Sequence, residues 1–217
     1  MDTHMVRGWE DGMRIAVFGG TGGTGAQVVA QALAAGHEVA ALVRDPTRLV
    51  SHSDRLLVVV GQVDQQDRVK EVVRGVDAVI SALGTDRRGP TRVCTDGIGS
   101  ILAAMAEFGV RRLVAVSAHG AGETHDRSLF SLAVWASVAD KMRDKEAMEA
   151  LIRASGVDWT IIRPPALTDG PRTGTYRTGT DLKIRLTSRI SRADLADFLL
   201  REAATPAFGH QAPRIAA

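Results

Sequence analysis

Cysteine is almost missing from this chain. Cys94 stands alone among 217 residues, so no internal disulfide can form, and no Cys/His run has zinc-ligand spacing. Aromatic residues make up only 4%, and Tyr176 is the single tyrosine. Apolar stretches are short, none approaching the roughly 18–20 residues of a membrane span. Residues 1–12 contain no apolar core of the kind that drives secretion. Nor does one sign of charge dominate: 27 Lys and Arg stand against 25 Asp and Glu, scattered beside one another, whereas nucleic-acid binders gather basic residues on one face. These absences predict a cytoplasmic protein that meets a small-molecule substrate, with no nucleic acid, membrane or metal as partner. They leave monomer and homodimer open.

The chain does have the balance of a globular protein, 45% apolar and 24% charged, at a length suited to one α/β domain. The pattern divides it into a flexible N-terminal extension, 1–13, and a single domain, 14–217. Apolar runs at 14–18, 38–43, 56–60, 78–81 and 112–117 alternate with helical patterns at 26–35, 65–74 and 91–108. Parallel strands need crossovers and helices supply them, so this alternation predicts a Rossmann-type, doubly wound parallel sheet. The run LLVVV at 56–60 contains nothing polar and reads as a strand buried on both faces. A loop at 119–128 leads into a long helical region ending near Ala154. A strand at 159–163 and a Pro/Gly/Thr/Arg-rich excursion at 164–180 then form a small C-terminal elaboration on the substrate side. Ser191, with Asp194 three residues on, is placed to cap a last helix at 195–202.

The first strand runs into Gly19-Gly20-Thr21-Gly22-Gly23-Thr24-Gly25. Gly20-x-Gly22-x-x-Gly25 has the dinucleotide spacing, and Gly19-x-x-Gly22-x-x-Gly25 offers a second register. In either, one glycine permits the tight turn, one lets backbone approach a pyrophosphate, and Gly25 lets helix and strand pack closely. The phosphates then meet free N–H groups at the positive end of the helix, with Thr21 and Thr24 adding hydroxyls. Position after a strand and before a helix is the context that makes this motif informative. The end of the second strand selects the nucleotide. An NAD site places a carboxylate there for the ribose, but this chain has Arg44 in the first exposed slot and Arg48 four residues on. One reading stacks Arg44 on adenine and pairs Arg48 with a 2′-phosphate, which selects NADP. The other leaves both solvated and gives the ribose to Asp45.

The segments IAVFGGTGGTGAQVVAQALAAGHEVAALVRDPTRL, DAVISALGT, LVAVSA, ASGVDWTIIRPP and SRADLADFLL resemble the atypical short-chain dehydrogenases of the NmrA-like group. Within it they are most similar to the biliverdin-IXβ reductases, also called flavin reductases. The resemblance covers residues 14 to about 202. It implies that Gly19 to Thr24, Arg44 and Arg48 hold the cofactor, and that Gln62 and Val63 flank adenine. It further implies that Leu83, Gly84 and Thr85 line the cofactor and that Ser117 faces the nicotinamide. Pro164, Pro165, Ala166 and Leu167 would present backbone to the carboxamide, and Lys145 would reach a cofactor ribose. Three positions depart from the pattern: Gln62 stands where many relatives have aspartate, and Lys145 and Ala166 stand where the biliverdin reductases have histidine.

A tyrosine acid with a lysine four residues later, the usual short-chain dehydrogenase pair, is missing. Thr180 follows Tyr176 at that spacing, and Lys141 precedes Lys145. Ser117 is the remaining polar group for the hydride path, either stabilising developing charge or only holding the carboxamide; no Gly-x-Ser-x-Gly surrounds it. His119 and His125 read as solvated loop residues, with a general-acid role as the alternative. Leu129, Phe130, Leu132, Val134 and Trp135 read as core rather than as a substrate flap, and Cys94 as a buried apolar residue. Arg172, Arg177, Arg185 and Arg189 form either a carboxylate- or phosphate-holding group or a solvent-facing loop. The leading function is an NADPH-dependent oxidoreductase that passes hydride to a planar conjugated acceptor of flavin, quinone or tetrapyrrole type. The alternatives are an NADP-binding sensor without turnover and a non-redox isomerase or dehydratase.

Overall fold

A computed structural model describes residues 12–49, 51–86, 88–126 and 128–217; of the extension expected at 1–13, only Gly12 and Met13 fall among them. The alternating pattern becomes β1 (Arg14–Phe18), α1 (Gly23–Ala34), β2 (Glu38–Val43), β3 (Leu56–Val60), α2 (Gln66–Val73), β4 (Ala78–Ser81), α3 (Val93–Phe108), β5 (Arg112–Val116), α4 (Leu129–Ala154) and β6 (Asp158–Ile162). The strands pair in the order β3-β2-β1-β4-β5-β6, and every pairing is parallel. This is the doubly wound arrangement, whose direction of winding reverses between β1 and β4. Beyond it lie β7 (Ala166–Thr168), β8 (Arg177–Gly179), β9 (Arg189–Ser191), α5 (Arg192–Ala204) and β10 (Arg214–Ala216). β7 pairs with β9 in parallel and β8 with β10 antiparallel, so the elaboration is two small ribbons rather than a loose loop.

Alternation along the strands divides the core in two. Ala16, Phe18, Leu42, Val79, Leu113 and Ile161 face α2, α3 and α4, meeting Val69, Ile98 and Met148. Ile15, Val17, Val39, Ala41, Ile80 and Val114 face α1 and α5, meeting Val28, Leu195 and Leu199. The cap at Ser191 forms as expected, its hydroxyl accepting from Asp194 N at 2.9 Å. Asp194 in turn accepts from Thr173 N and Gly174 N at 2.7 and 2.9 Å, anchoring the excursion to the first turn of α5.

Two expectations are corrected. β3 is the sheet's edge, flanked only by β2, and Leu57, Val58 and Val60 are 42%, 36% and 52% exposed. An apolar run marks a strand but carries no information about its rank in the sheet. In the first turns of α4, Phe130 is buried, whereas Leu129 and Leu132 are 71% and 57% exposed, so this segment is not uniformly core. Val138 has non-helical backbone (φ −142°, ψ 36°) and breaks α4 into two pieces.

The second piece of α4 is tied to α3 by one carboxylate. Asp144, 4% exposed, accepts from Cys94 N and Thr95 N, both at 2.9 Å, and from the Thr95 hydroxyl at 2.6 Å. It thereby satisfies the N-terminal donors of α3, which has no side-chain cap of its own at Arg92. Asp144→Ala strands two buried donors, and should lower the unfolding free energy in urea by about 2–4 kcal/mol. A loss below about 0.5 kcal/mol would show that water replaces the cap.

Candidate nucleotide site and its neighbouring charge network

The glycine turn closes on itself. Gly19 has φ +82°, and a Cβ there would lie 2.5 Å from Ala82 O. A Cβ on Gly25 would overlap the carbonyl oxygen of Gly19. Gly22 differs: a Cβ would meet only Gly19 O, at 3.3 Å, so its free side faces outward. Gly22 is also the N-cap of α1, with no side-chain hydrogen bond and no acidic residue in the first turn. The start of α1 therefore offers backbone donors and the positive helix end to an anion, at the switch point where α/β sheets bind nucleotides. This cradle fits a dinucleotide pyrophosphate.

Beyond β2, Arg44 and Arg48 are exposed. Asp45 is occupied locally: its Oδ1 accepts from Thr47 N at 3.0 Å and from the Thr47 hydroxyl at 2.6 Å, and these bonds hold its pKa below the usual carboxylate value. Gln62 is exposed, its N–H bonded to Gln65 Oε1 at 2.8 Å. Val63 and Leu83 pack on Gly97 of α3. Gly84, with nothing near its Cβ position, and Thr85 follow on the same connection. Lys145 bridges the ends of two strands, donating to Leu83 O at 2.9 Å and Val116 O at 2.6 Å. The same ammonium group also neighbours the buried Cys94 thiol.

Ser117 is turned inward. It is 4% exposed and its hydroxyl donates to Glu149 Oε1 at 2.5 Å. Arg163 holds the same carboxylate through Nε at 3.0 Å and Nη2 at 2.5 Å, and also pairs with Glu123, which Arg153 reaches at 2.7 Å. Pro164 and Pro165 are buried; Pro164 O accepts from His119 N at 2.8 Å, which leaves it one lone pair. Ala166 is exposed and Leu167 half-buried at β7. Sequence reasoning missed Glu149, although it lies one helical turn after Lys145 on the same face. Its partner Arg163 belongs to the quoted IIRPP segment, but nothing in the spacing joins the two.

The remaining candidates separate. His119 is 5% exposed, not solvated; its ring meets Phe130 edge-on at 4.9 Å and its Nδ1 is buried without a hydrogen-bond partner. Burial, with Arg214 nearby, pushes its pKa down to about 4. This histidine is neutral at physiological pH. His125 is exposed, stacked on Trp135 at 3.9 Å and bonded to Glu146 at 3.1 Å. Tyr176 lines a cleft of about 610 Å³ with Gln31, Ala35, His37 and α5 residues, and no glycine-turn residue borders it. Its hydroxyl donates to Asp197 at 2.6 Å, and burial and that carboxylate raise its pKa. Arg172 pairs with the same Asp197 at 2.5 Å, while Arg177, Arg185 and Arg189 are exposed. Cys94 is buried as expected. Among the described residues no helix is long and apolar enough to cross a membrane.

The sheet order, the closed glycine turn and the uncapped start of α1 define a nicotinamide-dinucleotide-binding protein. The chain belongs to the NAD(P)H-binding family, whose model matches residues 19–206. It is 31% identical to the reductase pytE of Aspergillus terreus over 203 residues, which cover 73% of this chain and 77% of that protein. It is 26% identical to YwnB of Bacillus subtilis, covering 89% and 93%. Escherichia coli O157:H7 ChuY, described as an anaerobillin reductase, has the same fold, with a TM-score of 0.79 at 22% identity over 93% of this chain and 96% of its own.

Replacing Gly22 with valine puts a branched side chain on the face left open for phosphate. Binding of either dinucleotide, followed by titration calorimetry, should weaken about 100-fold, or ~2.7 kcal/mol, while the unfolding midpoint stays near that of the wild type. A sharp fall in stability with affinity intact would make the turn structural only.

Proposed function

We propose that this NAD(P)H-dependent oxidoreductase uses NADPH to reduce a planar conjugated acceptor of flavin, quinone or tetrapyrrole type, without a tyrosine acid. The observation that carries this reading is the engagement of Tyr176 by Asp197, in a cleft that the glycine turn does not border. An isolated carbonyl becomes an alkoxide on reduction and needs a positioned proton donor. A conjugated acceptor spreads the charge over its ring and can take its proton from water. A reductase among the relatives supports the same class of reaction.

When bound, NADPH supplies the hydride. The residues of the chain bind and orient: the N–H groups of 21–25 meet the pyrophosphate, and Thr21 and Thr24 add hydroxyls. Arg44 stacks on adenine, Arg48 pairs with the 2′-phosphate, and Gln62 and Val63 flank the adenine. Leu83, Gly84 and Thr85 line the cofactor, and Lys145 reaches a ribose. Backbone of Pro164, Pro165, Ala166 and Leu167 meets the carboxamide. Asp45, spent on Thr47, leaves the ribose end to the arginines, which supports NADP over NAD. Ser117 turns from Glu149 towards the nicotinamide and steadies charge developing during transfer.

NADPH should bind at least about tenfold tighter than NADH, or ~1.4 kcal/mol, and Arg44→Ala should remove most of that difference with little effect on NADH. Equal affinities in the wild type would overturn the cofactor choice. With FMN or dichlorophenolindophenol as acceptor, loss of the reduced-nicotinamide absorbance should report turnover. Tyr176→Phe should then stay within about threefold of wild type, and Ser117→Ala should be slower by about tenfold or more. Tight binding without turnover on any conjugated acceptor would favour the sensor reading; a large Tyr176 effect with none at Ser117 would overturn the mechanism.

A further inference from the structure

The last helix brings a cation to the phosphate-binding turn. Arg192 is the first residue of α5, a helix that packs on α1 with Gln31 Nε2 donating to Ala193 O at 2.9 Å. From there its side chain crosses the start of α1. A Cβ on Gly23 would lie 2.7 Å from both Cδ and Nε of Arg192, and 3.6 Å from its Cζ. Gly23 is thus free of a side chain where an arginine passes, whereas Gly19 and Gly25 avoid backbone. In the structure the guanidinium pairs with Asp169 at 2.5 Å, and the two side chains are 29% and 89% exposed.

We propose that Arg192 is a pyrophosphate-binding residue, which exchanges Asp169 for the pyrophosphate when a dinucleotide binds. The inference rests on the nucleotide reading of the glycine turn and adds to it a side chain from a distant part of the sequence. Asp169 is open to water and Arg192 partly so, and an ion pair at such a surface adds little stability, so giving it up is cheap. A pyrophosphate offers two negative charges and paired oxygens that match the planar guanidinium fork. It would also sit at the positive end of α1, which already favours an anion there. The pyrophosphate is common to NADPH and NADH, so Arg192 strengthens both without choosing between them. In this it differs from Arg44 and Arg48, which the proposed function places at the adenosine end.

Titration calorimetry of the full chain with NADPH and with NADH tests this, with unfolding midpoints measured alongside. Arg192→Ala should weaken both nucleotides about tenfold and leave their ratio unchanged; Arg192→Lys should recover part of the loss. Asp169→Asn should bind as well as wild type or more tightly, because the competing carboxylate is gone. Wild-type affinity in Arg192→Ala overturns the proposal, and so does a loss confined to NADPH, which would move the contact to the 2′-phosphate. An equal loss in Asp169→Asn overturns it too, because the pair would then be a structural clasp. A wild-type chain that binds neither nucleotide would instead remove the nucleotide reading itself, and this inference with it.

Discussion

The carbonyl oxygen of Gly19 leaves no room for a side chain at Gly25, and much of the molecule follows from that contact. It seats the first turn of α1 directly on the end of β1, so the positive end of the helix points over the gap between β1 and β4. The same seating holds α1 flat against its half of the core, where Val28 and Val29 are buried. Because α5 packs on α1, the position of α1 also determines where the last helix begins. A single close approach thus couples the phosphate cradle, one face of the sheet and the C-terminal elaboration. Any larger residue at 25 would have to move all three.

Local signals in the sequence reach this far and then stop. Strand–helix alternation, the glycine spacing and the Ser191 cap depend on residues near one another in the chain, so the sheet class, the turn and the start of α5 were legible. The rank of β3 was not, because burial of a strand depends on which neighbours fold beside it. His119 shows the same limit. Its loop composition suggests solvent, but Phe130 and the Arg163 end of β6 close over it. Ser117 stands out in the sequence but its hydrogen-bond partner Glu149 does not, since the two meet only when β5 and α4 pack. The comparisons bear out the fold, the NAD(P)H-binding family and the reductase class, while the individual nucleotide contacts remain proposals.

The charges buried beside the site impose an order of importance on it. Glu149 and Arg163 are both almost inaccessible, each 2% exposed. Removing either would break the short bonds between them, but Glu123 would still face Arg163 and Arg153 would still face Glu149, so the cost falls below that of an isolated buried pair. The network therefore says less about total stability than about position. It holds the ends of β5 and β6 and the middle of α4 at fixed distances, and Lys145 ties the ends of β4 and β5 in the same way. Rigid strand ends are what a hydride path requires, since small displacements of the reacting groups are costly.

The break at Val138 divides α4 into segments with separate fates. The portion after it is locked by Asp144, Lys145, Met148 and Glu149 to α3, the sheet and Arg163. The portion before it buries chiefly Phe130 and Ser131, with Leu129 and Leu132 facing water. Helical hydrogen bonds do not run continuously through a residue with non-helical backbone, so fraying that begins at Ser128 has a place to stop. The two pieces are expected to open separately, the first, held by Phe130 and by Trp135 on Gly120 O, at lower cost than the second, which is tied into the core. Amide protons at 130–136 are accordingly expected to exchange with solvent long before those at 146–152.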